Sequence, residues 1–354
     1  VQYLVYFLLV DLLKFPSLGQ FEKSAWTVPV RYKGRLYGVE YRKMGLGIFA
    51  PNLDPNARMS GTPSAEAEVD AAEISALIKR AIDVAQPYYL ARAEDATSGY
   101  ELNVVNNSDS LFQRYVHFRD SARKLFDEVE IATEEHKRMT PHEKISGTVD
   151  EWSPLKNYAL WRQAEWNAQA AVDAFFCWTE HVFIHLAILQ GNLKTGNEVA
   201  RIAEADWKTK FKMALDVTEP DTKEHYDKLL DLRTQIRNFM AHGAFGKRGE
   251  AFSFHSGAGA VPVLLTRDQD RRFALGAASA FKEGWAINEI DRFVEHLWSG
   301  AREAAYLYLS SDLPVILTFA NDGTYAESMH SVDRMELLVK QLTMEAERAA
   351  NMDW

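Results

Sequence analysis

Apolar positions along this chain follow two periods. Three short runs, over 25–30, 35–43 and 45–49, alternate apolar with polar side chains and are separated by Lys33-Gly34 and a Met44-Gly45 corner. A two-residue period sends successive side chains to opposite faces, so these runs predict a small antiparallel meander. From Ser64 the spacing changes to three or four. Val69, Ile74, Leu77, Ile78 and Ala81 predict a helix to about 86, entered through Thr62-Pro63 as a cap followed by proline. Leu111, Tyr115, Phe118, Ala122, Leu125, Val129 and Ala132 predict another over about 110–138. Ser153-Pro154 opens a very long helix to about 190, striped by Trp161, Ala164, Ala168, Ala171, Phe175, Trp178, Val182 and Leu186. Further helices are predicted after Asp206 and after Pro220, the second stopping near His242-Gly243. Alternation returns at 250–255 and 261–266 as a β-hairpin, and helices over about 286–308 and 332–349 close the chain.

The stretch 51–64 is rich in Pro, Asn, Ser and Gly and reads as a loop; 87–107 is mixed and ends in Asn106-Asn107-Ser108-Asp109. The resulting division is a small N-terminal α+β domain (1–108), a helical domain (109–310) with the hairpin inserted at about 250–266, and a C-terminal connector and helix (311–354). The apolar residues 1–13 are interrupted by Asp11 and followed by Lys14, short of the roughly 20 residues that a membrane span needs. They read as a core helix or strand; no other segment is expected to span a bilayer, and no membrane association is expected.

Composition narrows the classes. Of 354 residues, 47% are apolar, enough for a sizeable core. Forty basic against fifty acidic residues give a net charge of −10, which argues against coating nucleic acid by charge alone. A local basic site stays open. The lone cysteine, Cys177, allows neither an intrachain disulfide nor a cysteine-based zinc site, and a reducing, cytoplasmic compartment is expected. No phosphate loop, dinucleotide fingerprint or serine-nucleophile elbow occurs, so no cofactor is expected.

The segment that carries chemistry is Leu232-Arg233-Thr234-Gln235-Ile236-Arg237-Asn238-Phe239-Met240-Ala241-His242-Gly243. A histidine is suited to take the proton of an RNA 2′-hydroxyl or to protonate the leaving 5′-oxygen. An arginine fork offers fixed charge to the phosphorane formed on the way. The Asn238 amide is placed to bind phosphate or orient the histidine. Five residues apart, Arg237 and His242 stand about 140° apart around a helix. They converge only if the helix ends near His242 or if two subunits share one site. Capping also explains a helix-terminal Arg-Asn and His-Gly, because a histidinium is favourable near a C-terminus.

Arg-x4-His alone is weak evidence: with ten histidines, any arginine has about a 3% chance of one five positions later. Asn after the Arg, and Ala and Gly around the His, make the segment far more specific. Here the chain resembles the HEPN family of all-helical ribonucleases and nucleotide-binding domains, whose signature is Arg, a polar residue, and His four to six positions past the Arg. Ala174-Phe175-Phe176-Cys177-Trp178-Thr179-Glu180-His181 is similar to that family's helix with a mid-helix acidic residue. Asp206-Trp207-Lys208-Thr209-Lys210-Phe211 resembles the short segment that often precedes the motif helix. The resemblance covers about 110–310. It implies a HEPN-like helical bundle and a metal-independent endoribonuclease leaving 2′,3′-cyclic phosphate ends. It also implies a toxin or defence effector, and a homodimer whose site combines Arg237, Asn238 and His242 of both chains. Glu180 and Arg233 would stand behind that motif. The alternative is a non-catalytic dimeric scaffold that binds a nucleotide or a protein partner.

Other residues suggest RNA contacts or metal. Lys247 and Arg248, just past His242, suit an RNA backbone, or simply a solvated turn. Arg31, Lys33 and Arg35, interleaved with Tyr32 and Tyr37, combine charge and rings as single-stranded nucleic acid requires, but a sheet with one wet face explains them too. The N-terminal domain as a whole is expected to meet a regulatory ligand or protein. His181 and His185 have the i,i+4 spacing of metal ligands. Their apolar neighbours favour a core or interface role, and no metal is expected. Trp166 and Phe176 lie off the main stripe of the long helix, which suggests that a partner covers them.

Overall fold

The alternating runs become a three-stranded antiparallel sheet, β1 (Ser24–Tyr32), β2 (Arg35–Arg42) and β3 (Gly45–Phe49), in that order. Val28 faces Val39 and Val30 faces Tyr37, so the buried positions of the first two strands meet in register. The turn between them is Lys33-Gly34, both at positive φ, the geometry that a two-residue hairpin needs. We describe residues 1–20, 24–50, 64–138, 154–242, 250–257, 259–265, 273–275 and 283–351 from a computed structural model.

The chain divides into two units. The first comprises Val1–Leu102, Thr195–Asn197 and Leu337–Trp354; the second comprises Asn103–Lys194 and Glu198–Glu336. Residues 311–336 therefore belong with the helical unit and those from 337 on with the N-terminal one. In the first unit α1 (Gln2–Tyr6) continues into a π-helical stretch, Phe7–Leu12, and buries Val5, Leu8 and Leu9. Val5 and Leu9 join Trp26, Val28, Tyr37 and Val39 of the sheet and Ile74 of α2 (Ala65–Val84) in one core. The cap of α2 is Ser64, whose side chain accepts from the Ala67 N–H at 3.2 Å; Thr62 and Pro63 lie outside the described residues. The mixed stretch after residue 86 holds a further helix, α3 (Gln86–Ser98).

The second unit is mostly helical. A two-residue strand, β4 (Asn103–Val104), pairs with β8 (Val315–Ile316). Between them lie α4 (Ser108–Arg138), α5 (Pro154–Leu189), α6 (Gly196–Glu204), α7 (Trp207–Ala214) and α8 (Pro220–His242). The chain then forms β5 (Glu250–Ser256), β6 (Gly259–Leu265) and β7 (Phe273–Leu275), followed by α9 (Glu283–Leu297) and α10 (Glu303–Leu309). After β8 come α11 (Leu317–Asp322) and α12 (Thr324–Ser328); α13 (Val332–Asn351), which belongs to the first unit from Leu337 on, closes the chain. Strands β5 and β6 form the hairpin, and β7 adds a third strand to it. The single helix expected over 286–308 is two, with a 3₁₀ turn at Gly300–Arg302 and Gly300 at positive φ.

Helices α4 and α5 run antiparallel: Phe112 meets Trp178, Tyr115 meets Phe175, and Ala122 meets Ala168 beside Ile287. Alanines on both sides let the backbones approach closely. Helix α5 is the core of the unit, with Ala164, Ala168, Ala171, Phe175, Val182 and Leu186 wholly buried. Its stretch from Tyr158 to Leu189 is also long and apolar enough to cross a membrane (mean hydropathy 1.4), contrary to the expectation that no segment is. Within the fold, 72% of its most apolar 18 residues are buried inside the protein. Cys177 lies on the same helix and is exposed.

Candidate functional site

Helix α7 fixes the surroundings of Glu180. Asp206 caps it, accepting from the Thr209 N–H at 2.9 Å and the Thr209 hydroxyl at 2.7 Å. Trp207, the first residue inside, is fully buried among Phe176, Phe183 and Phe211, and its indole N–H donates to the buried Thr179 hydroxyl at 3.0 Å. That ring and its bond pin α7 to α5. One turn on, the ammonium of Lys210 reaches Glu180 Oε2 at 2.9 Å, with its side chain only 6% exposed.

The other oxygen of Glu180 accepts from α8: Arg233 Nη2 donates to Oε1 at 2.7 Å. The two residues expected to stand behind the motif are thus brought together. The Arg233 guanidinium also lies 5.8 Å from the Phe176 ring and 5.7 Å from the Trp207 ring, which restricts its orientation. Lys210 is the member of this group that sequence reasoning missed. Its position three residues after Trp207, on the edge of the buried face, is the signal that marks it.

Arg237 follows Arg233 by one turn, and α8 is helical through His242, so Arg237 and His242 stand about 140° apart around its axis. The side chains of Arg237, Asn238 and His242 lie outside the described residues, as do Lys247 and Arg248 altogether.

On the N-terminal unit, Arg31 is exposed. Lys33 instead bonds Asp70 at 3.2 Å and Glu73, and Arg35 reaches Glu66 and Asp70 at 2.6 Å each. Tyr32 donates to Glu73 at 2.9 Å. The positive charge of Lys33 and Arg35 is therefore matched by carboxylates of α2. The same unit has an apolar groove of about 640 Å³ lined by Leu8, Leu12, Leu77, Val84 and Tyr88.

The rings of His181 and His185 lie 4.0 Å apart, tilted by 33°, and tie α5 to the segment before α4. The Asn107 N–H donates to His181 Nε2 at 2.9 Å, while the two ring nitrogens of His185 lie 2.8 and 2.9 Å from the carbonyls of His181 and Val105. Burial, with the neighbouring His185, pushes the His181 imidazole down to about 3. Among the described residues no group of three or more His, Cys, Asp or Glu is arranged to hold a metal ion. Phe176 is buried against Trp207, whereas Trp166 is 57% exposed and Trp161, although on the core stripe, 42%. Arg162 lies over the rings of Tyr158 and Trp166.

No family model, no curated protein and no solved structure matches the chain.

Proposed function

We propose that the helical unit is a metal-independent endoribonuclease of HEPN type. The observation that supports this reading is the Arg233–Glu180 ion pair. It sets the helix bearing Arg237, Asn238 and His242 against the acidic residue in the middle of the long helix. His242 moves the proton between the 2′-hydroxyl and the leaving 5′-oxygen, Arg237 neutralises the phosphorane, and Asn238 orients one or the other. Because Arg237 and His242 diverge around one helix, two chains related by a twofold axis supply the complete site. The exposed Trp161 and Trp166 offer such a partner aromatic surface. A role as a toxin or defence effector follows from the resemblance alone.

The test is incubation of the purified chain with mixed RNAs, with and without EDTA, beside His242→Ala. Cleavage that persists in EDTA, leaves 2′,3′-cyclic phosphate ends and is lost in the variant supports the reading. Activity that needs a divalent ion, or a folded His242→Ala protein with an unchanged rate, rejects it.

A further inference from the structure

One carboxylate, Glu180, serves two cations, Lys210 and Arg233. Asp206, on which Arg233 also acts, is already committed as the cap of α7. Its bonds from Thr209, together with the charges of Lys208 and Arg233, hold it below the usual carboxylate range. Glu180 therefore brings one negative charge against the two cations whose hydrogen bonds it accepts. Arg233, at 36% exposure, is reached by solvent, whereas Lys210, at 6%, is not. Only its Nη2 has a hydrogen-bond partner among the described residues. The ring faces of Phe176 and Trp207 restrict the plane of its fork. A fixed guanidinium whose other N–H groups have no partner among the described residues, backed by a second cation, suits an oxyanion.

The geometry points to Arg233, backed by Lys210, as a subsite for a phosphate adjoining the one that is cleaved. It rests on the ribonuclease reading for the identity of its ligand, and on the ion-pair geometry for its existence. Arg233 and Arg237 are one helical turn apart, about 6 Å along the axis, on the scale that separates successive phosphates of one strand. The subsite would then engage single-stranded RNA by its backbone, without reading bases.

Two probes separate the claims. Inorganic pyrophosphate, titrated calorimetrically into the full chain, tests the anion site alone. Uridylyl-uridine with and without a 5′-phosphate, titrated into His242→Ala, tests its place beside the scissile bond. Arg233→Gln keeps a donor for Glu180 and removes the charge; Arg233→Lys keeps the charge and removes the fork. Pyrophosphate binding is expected to weaken about tenfold in Arg233→Gln and less in Arg233→Lys, the scale of one charge-assisted hydrogen bond. The 5′-phosphate is expected to tighten dinucleotide binding about tenfold through Arg233 and to give no gain without it. Equal pyrophosphate affinity in wild type and a folded Arg233→Gln protein overturns the subsite, whatever the cleavage assay shows. Pyrophosphate binding through Arg233 in a chain that leaves RNA intact keeps the anion site and removes the ribonuclease reading.

Discussion

The hydroxyl of Tyr37, on the sheet, donates to the carboxylate of Asp70, on α2, across 2.5 Å. Asp70 is 1% exposed and also takes Lys33 and Arg35, so a buried carboxylate joins both layers of the N-terminal unit. The Tyr37 bond first, and the two cations after it, hold Asp70 below the ordinary carboxylate range. A depressed native pKa stabilises the fold above the unfolded value, near 3.9, and that contribution is lost as pH falls through the native one. Asp70→Asn is expected to lower Tm by several degrees at pH 7 and to flatten the acid limb of stability. A melting curve indistinguishable from wild type at pH 7 and pH 4 would refute this. By the same geometry, charge reversal at Lys33 and Arg35 is expected to destabilise this unit as well as to alter any RNA contact.

His181 gives a second pH dependence with a different window. Its neutral ring accepts the Asn107 N–H, and burial keeps it unprotonated down to about pH 3, whereas an unfolded histidine takes a proton near 6.5. Between those values the unfolded state binds more protons, so stability falls as the solution is acidified, by at most about 1.4 kcal/mol per pH unit. His185, shifted the same way by burial, adds to the slope. His181→Gln, which keeps an acceptor without the titration, is expected to have a shallower loss of urea midpoint between pH 6.5 and 4.5. Parallel curves for the two proteins would show that His181 does not titrate across unfolding.

Lys210 and Glu180 are expected to be strongly non-additive. Glu180→Ala leaves a buried ammonium without its acceptor and is expected to cost about 1–3 kcal/mol. Adding Lys210→Met removes the stranded charge and restores part of that stability. Urea denaturation of the two single variants and the double variant closes the cycle. Additive losses would mean that the ammonium is solvated rather than held by Glu180.

For the chemistry, His242→Ala is expected to reduce cleavage about 10²–10⁴-fold, and Arg237→Ala comparably. Arg237→Lys is expected not to rescue, because lysine lacks the planar fork. Full activity in the lysine variant would reduce Arg237 to a point charge and remove its assigned role.

Subunit mixing addresses the shared site. Arg237→Ala and His242→Ala proteins, each inactive, are combined and given time to exchange. A site taking Arg from one chain and His from the other regains activity in the mixture. Light scattering that finds only monomer in a fully active preparation removes the composite site.

Regular periodicity made the long elements legible. The meander and the antiparallel pair α4 and α5 carry stripes that match one buried face. Helix α3 was missed because it has no buried residue and therefore no stripe to read. The break after α9 was missed because Trp298 and Tyr306 continue a helical spacing across Gly300, and the rings do contact each other, at 5.3 Å, over the 3₁₀ turn. Lys33 and Arg35 read as a wet basic face because their acidic partners, Glu66, Asp70 and Glu73, lie more than thirty residues away on another element. Lys210 was overlooked for the opposite reason: a lysine between two other lysines looks solvated, and only the placement of Glu180 on α5 shows that it is covered.

The exposed thiol of Cys177 has an experimental consequence. It is the only cysteine in the sequence, and it lies on the long helix three residues before Glu180. One maleimide spin label or dye therefore attaches at a single known position, with no engineered substitution. In a twofold assembly the two labels form one pair, and electron–electron resonance then returns one distance, a ruler across the symmetry axis.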